Sequence, residues 1–260
     1  MSRLTFEEAA QSWFDHAARL VNLCYTALAE AEMKGTQKGL RDPRIVSAAL
    51  LIRTTSNVRA TFALLEQALI VEARIMARSA VENLLWSAKL VQKGDEFVDQ
   101  MIADELKSHD RRAKFIMSSL DSLPEPIAEM LQEVVGRLKT APISPKGLVA
   151  RTVAQDSVAG HAYLIYAQLS ADAAHPSIDA LRRYIEDDRK DGSITLNADS
   201  DVSHEEHLRT ASYACMALTG VCVAFNQLSG PTAAGAEPLT RLADEALQLE
   251  TLSGLCNDIH

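Results

Sequence analysis

RIVSAALLIRTTSNVRATFALLEQALIVEARIMARSAVENLLWSAKLVQ, residues 44–92, contains neither glycine nor proline. Asp42-Pro43 stands immediately before it, the pattern of an N-cap followed by proline at the first helical position. Leucines, alanines and straight-chain residues dominate, so the whole stretch favours helix. It is too long for one ordinary globular helix. A break is expected near Gln67–Val71, giving two helices that pack as an antiparallel hairpin.

The same reading extends in both directions. Upstream, Phe6, Ala10, Trp13, Ala17, Leu20, Cys24 and Leu28 recur at steps of three and four, the signature of one buried helical face from about Thr5 to Met33. Thr5 supplies a cap, and Glu7 and Glu8 an acidic first turn. Downstream, helices are expected from Gly94-Asp95 to about Ser119 and from Leu123-Pro124 to about Lys139. A turn at Thr140–Pro145 leads to a short helix ending near Gln155. His161–Ala174, Ser177–Asp187, Ser203–Leu228 and Leu239–Leu252 follow. Lys190–Asp201 reads as irregular, with Ile194–Leu196 extended. No run of alternating β-branched residues is long enough for a sheet. The fold class is therefore all-α, a multi-helix bundle with mostly antiparallel neighbours. No Gly/Ser- or Pro-rich linker divides the chain, so 1–260 is expected to form one helical domain, with 203–255 as a C-terminal extension.

Composition narrows the function classes. A formal net charge of -9, from 26 basic and 35 acidic residues, argues against a nucleic-acid partner. Basic clusters at Arg111, Arg112 and Lys114 and at Arg182 and Arg183 read as solvated helix faces. The four cysteines form no redox or metal pair, and the first residues lack the apolar core of a signal peptide. Cytoplasmic location is the expectation. Ala211–Phe225 is too short for a bilayer and reads as a buried helix, one whose apolar surface could also serve a homodimer.

Motifs for phosphate loops, dinucleotides, acyl transfer or zinc hydrolysis are absent, and no cofactor is expected. His204-Glu205-Glu206-His207 has its histidines three apart, close enough on a helix for a shared ion, yet it also reads as a capped helix start. No metal site is assigned. Two stretches carry polar groups against the apolar grain. In Ala77–Asn83, Arg78 and Glu82 fall one turn apart on a stripe with Val71, Ile75 and Leu85. A charge pair on such a face costs desolvation, and its order is the poorer one for helix stability. It is either the anchor of a polar network or the lining of a pocket. In Tyr163–Ser170, Tyr166 and Ser170 lie one turn apart, and His175 before Pro176 falls at a helix C-terminal end. His109, beside Lys107 and Arg111, is a further candidate.

Arg-Ser-x-x-Glu-Asn at 78–83, with Tyr-x-x-Leu-Ser at 166–170 and His-Pro at 175–176, resembles the bacterial domain-of-unknown-function family 5677 over about Ala48–Ile185. The resemblance implies a helical domain in which Arg78, Glu82, Tyr166, Ser170 and His175 converge, and it supplies no reaction. More distantly the chain is similar to HEPN-type helical domains, some of which cut RNA with an arginine followed closely by a histidine. That spacing is absent here.

Two functions follow as expectations. The first is a ligand- or partner-binding scaffold with a buried polar pocket, in which Tyr166, Ser170 and Asn83 bind. Its partner is a small ligand, a protein or a second copy of the chain, with no membrane involved. The second is a metal-independent RNA phosphodiesterase of a defence or toxin-like system. There His175 would move the proton, Arg78 would steady the phosphoryl charge and Glu82 would orient Arg78.

Overall fold

The computed structural model describes residues 3–33, 36–119, 124–139, 143, 146–173, 178–188, 192–198, 202–230 and 236–255. The stretch without glycine or proline forms a helical hairpin, α2 (Pro43–Glu66) and α3 (Ile70–Lys93). Asp42 caps α2 by accepting from the Arg44 backbone N–H at 2.9 Å, with Pro43 in the first turn. The break between them is a Schellman stop. The Leu69 N–H reaches the Leu64 carbonyl at 2.9 Å and the Ala68 N–H reaches the Leu65 carbonyl at 3.0 Å. Ala68 occupies the left-handed position, φ 57°, where glycine is usual.

α1 (Phe6–Glu30) begins with a full capping box between Thr5 and Glu8. Its buried stripe, which includes Trp13, Ala17, Leu20 and Cys24, faces the interior. α4 (Asp95–Ser119) and α5 (Glu125–Lys139) pack on each other, α6 (Ala150–Ala154) is a single turn, and α7 (Ala162–Ala173) lies along α3. α9 (His204–Ser229) is the central element, packed against α1, α2, α3 and α10 (Ala236–Leu252). Its buried face is built largely of small residues such as Ala211, Ala214, Cys215, Ala217 and Cys222. Gly220 lets α9 approach α3 so closely that a Cβ there would meet the Leu84 Cδ1 at 2.5 Å. α9 is long and apolar enough to cross a membrane by length and composition, but 67% of that window is buried inside the bundle. Most of its apolar face is thus covered within the chain, while Val223 stays 41% exposed.

The helix expected over Ser177–Asp187 is corrected. The α-helical part, α8, is Ile178–Leu181, a 3-10 turn covers Arg182–Tyr184, and the chain then enters a two-stranded antiparallel ribbon. β1 (Ile185–Asp188) pairs with β2 (Ser193–Leu196), Ile185 opposite Leu196 and Asp188 opposite Ser193. Every residue of β2 is exposed, so that strand has no buried face to impose alternation on the sequence. Apart from this ribbon the architecture is the all-α bundle that periodicity implies.

Candidate functional site

α3 presents Arg74, Arg78 and Glu82 at successive turns, and α7 presents Tyr166 and Ser170 one turn apart on the facing helix. Arg78 joins the two. Its Nε donates to the Ser170 Oγ at 2.9 Å and its Nη2 to the Tyr166 hydroxyl at 2.5 Å. Its Nη1 lies 3.5 Å from the Glu82 Oε2. The guanidinium carbon sits 4.5 Å from the centre of the Tyr166 ring, which in turn stacks on Tyr163. The Ser170 hydroxyl donates to the Tyr166 carbonyl at 2.6 Å, so its lone pairs are left to receive Arg78. Burial raises the Tyr166 phenol above its ordinary value, the Glu82 charge adds to that rise, and Arg78 opposes it. The phenol therefore stays protonated at neutral pH.

This seam is not a fully buried charge pair on a core face. Arg78 and Glu82 are 23% and 34% exposed, while the fully covered face of α3 carries Ala73, Ala77, Ala80 and Val81. The deeply buried arginine is Arg74, at 4% exposure, one turn earlier. Its Nη1 pairs with the Glu206 Oε1 at 3.2 Å, and Arg183 grips the same carboxylate with two bonds of 2.9 and 2.6 Å. Glu206 stands in the first turn of α9, where Ser203 caps the helix. Arg183, expected on a solvated face, is half-buried in this bridge. The spacing of 74, 78 and 82 at four-residue intervals was the signal that could have brought Arg74 into the reading.

Asn83 does not join Arg78. One residue step turns the side chain about 100° around the helix, and the Asn83 amide, buried, donates to the Thr54 Oγ1 on α2 at 3.1 Å. His175 and Pro176 lie outside the described residues. His109 is exposed on α4, with its Nε2 3.6 Å from Glu105. His204 stacks on Phe6 at 3.8 Å, and His207 meets the same ring edge-on at 5.3 Å. Burial, with His204 adding a smaller effect, lowers the His207 pKa. Among the described residues no group of three or more His, Cys, Asp or Glu side chains could hold a metal ion.

The geometry defines an all-α bundle with an arginine fixed in the groove between two helices. Residues 44–193 match the sequence model of a family of unknown function, DUF5677, and the chain belongs to that family. No curated protein and no solved structure matches it. α9, which closes the core over α3, lies beyond the matched segment.

Proposed function

We propose that the protein is a binding scaffold whose α3/α7 seam recognises an anionic group on a ligand or partner. The observation that carries this reading is the state of Arg78. Two of its N–H groups are fixed by Tyr166 and Ser170 and its plane is held against an aromatic ring, yet part of the side chain remains open to solvent. A guanidinium has five N–H donors. One held this way retains donors for a carboxylate or phosphate and loses little freedom on binding. The buried free thiols Cys24, Cys215 and Cys222 favour a reducing compartment such as the cytoplasm.

The RNA phosphodiesterase reading uses the same arginine but also needs a proton-transfer group beside it. The candidate for it, His175, lies outside the described residues. The test is binding of succinate and of a mixed-sequence single-stranded RNA oligonucleotide by wild type and Arg78→Met. Binding of either that Arg78→Met loses while staying folded supports the proposal. RNA cut rather than held would turn it toward the phosphodiesterase, and indifference of binding to Arg78→Met would sink it.

A further inference from the structure

On the other side of α3, between α3, α4 and residues 146–156, lies a cavity of about 640 Å³. That size suits a small organic ligand. Its lining carries three lysines, Lys89, Lys93 and Lys146, against one carboxylate, Asp156. Such a local excess runs against a chain whose net charge is -9.

Lys89 is the informative member. It is only 8% exposed. Its Nζ donates to the Gln155 carbonyl at 2.8 Å, and among the described residues no carboxylate lies within ion-pairing distance. An ammonium has three N–H donors, so two are left without an acceptor among the described residues. The Glu96 carboxylate acts on it only from beyond ion-pairing distance and is itself paired with Lys93, so an arriving anion would still relieve part of the cost of burying this cation. Lys93 is already paired with Glu96 at 2.6 Å, and Lys146 is exposed on the same lining.

Lys89 also caps the last turn of α6, whose C-cap is Gln155. That role uses one donor and explains neither the cavity nor the other two lysines. Lysine acts as a point charge suited to phosphate, where a carboxylate would be better matched by the arginine fork. The volume far exceeds a phosphate ion and leaves room for an organic body beside it. Phe97, Leu148 and Val153 supply an apolar wall for it, and Gln92 and Thr152 supply polar groups.

We propose that this cavity binds a small phosphomonoester of about nucleotide size, with its phosphate held by Lys89 and attracted by Lys93 and Lys146. The site is separate from the Arg78 seam, and neither proposal depends on the other.

The test is calorimetric titration, at constant ionic strength, of inorganic phosphate, adenosine monophosphate and adenosine into the full chain. Wild type, Lys89→Met and the double variant Lys93→Gln/Lys146→Gln are compared, with the melting temperature of each recorded. The proposal expects saturable binding of adenosine monophosphate or phosphate, and none of adenosine. It expects the double variant to melt like wild type but bind about tenfold more weakly or worse. Should Lys89→Met unfold, the double variant still decides, because its lysines cap nothing. Absence of binding by both phosphate probes would overturn the proposal. So would binding that neither set of substitutions weakens.

Discussion

Glu206→Gln is the substitution whose effect follows most directly from the geometry. The carboxylate lies between two guanidinium groups, 3.2 Å from Arg74 and 2.6 Å from Arg183. Arg74 is 4% exposed, so its charge interacts through protein rather than through water. The amide of glutamine keeps the shape and one acceptor but removes the negative charge that both guanidinium groups contact. Breaking a buried pair from one side costs roughly 3–5 kcal/mol. Glu206 and Arg183 are 19% and 20% exposed, and hydration there trims the figure to about 2–4 kcal/mol. For a chain of this size that corresponds to a melting temperature lower by roughly 4–16 °C. Urea unfolding followed by circular dichroism measures it. A loss under about 0.5 kcal/mol, the range of ordinary surface substitutions, would refute the claim that Glu206 joins α3 to the start of α9 and to Arg183.

Three further outcomes follow from single sites. Ala68→Gly should stabilise by about 0.5–1 kcal/mol, since the left-handed conformation at φ 57° penalises alanine and not glycine; thermal unfolding reads it, and a destabilised variant would contradict it. Asp42→Ala should cost about 1 kcal/mol through loss of the α2 cap. Hydrogen bonds from the Arg44 and Thr36 side chains hold the Asp42 carboxyl well below the usual carboxylate range. Its contribution is therefore present above about pH 4 and lost as pH falls further, so the deficit of Asp42→Ala should narrow in acid. Burial lowers the pKa of His16, with Glu245 acting in the opposite sense. A histidine kept neutral in the fold binds fewer protons than in the unfolded chain, so wild-type stability should decline as pH falls below about 6.5. His16→Gln should flatten that slope, and an unchanged slope would contradict it.

Local chemistry made most of the fold legible. Thr5 with Glu8 and Asp42 with Pro43 mark helix starts because capping needs those side chains at those places. The end of α2 was poorly marked because alanine, not glycine, takes the left-handed position. Ile194–Leu196, which reads as extended, falls in β2, whereas its partner β1 reads as helix: Ile-Glu-Asp-Asp at 185–188 has the composition of a helix surface, and a four-residue strand has too little periodicity to declare itself. At the candidate site, Arg78, Tyr166 and Ser170 could be singled out because polar groups interrupt apolar faces. Their meeting depends on α3 and α7 packing side by side, more than eighty residues apart in sequence. Asn83 was grouped with Glu82 by adjacency, which helical rotation undoes. Lys89 left no trace in the pattern, because its environment is made by Gln155 and the chain around it.

In the scaffold proposed here, Arg78 is kept for recognition and not to hold the fold. Removing it strands little. Ser170 keeps its bond to the Tyr166 carbonyl, Glu82 is 34% exposed and can be hydrated, and a methionine stem fills the same space. Urea unfolding of wild type beside Arg78→Met and Glu82→Gln is the direct measurement. Stability within about 1 kcal/mol of wild type, or above it, is the predicted result, as expected of a site retained at some cost to the fold. A loss of about 3 kcal/mol or more in either variant would show a structural network and contradict the claim.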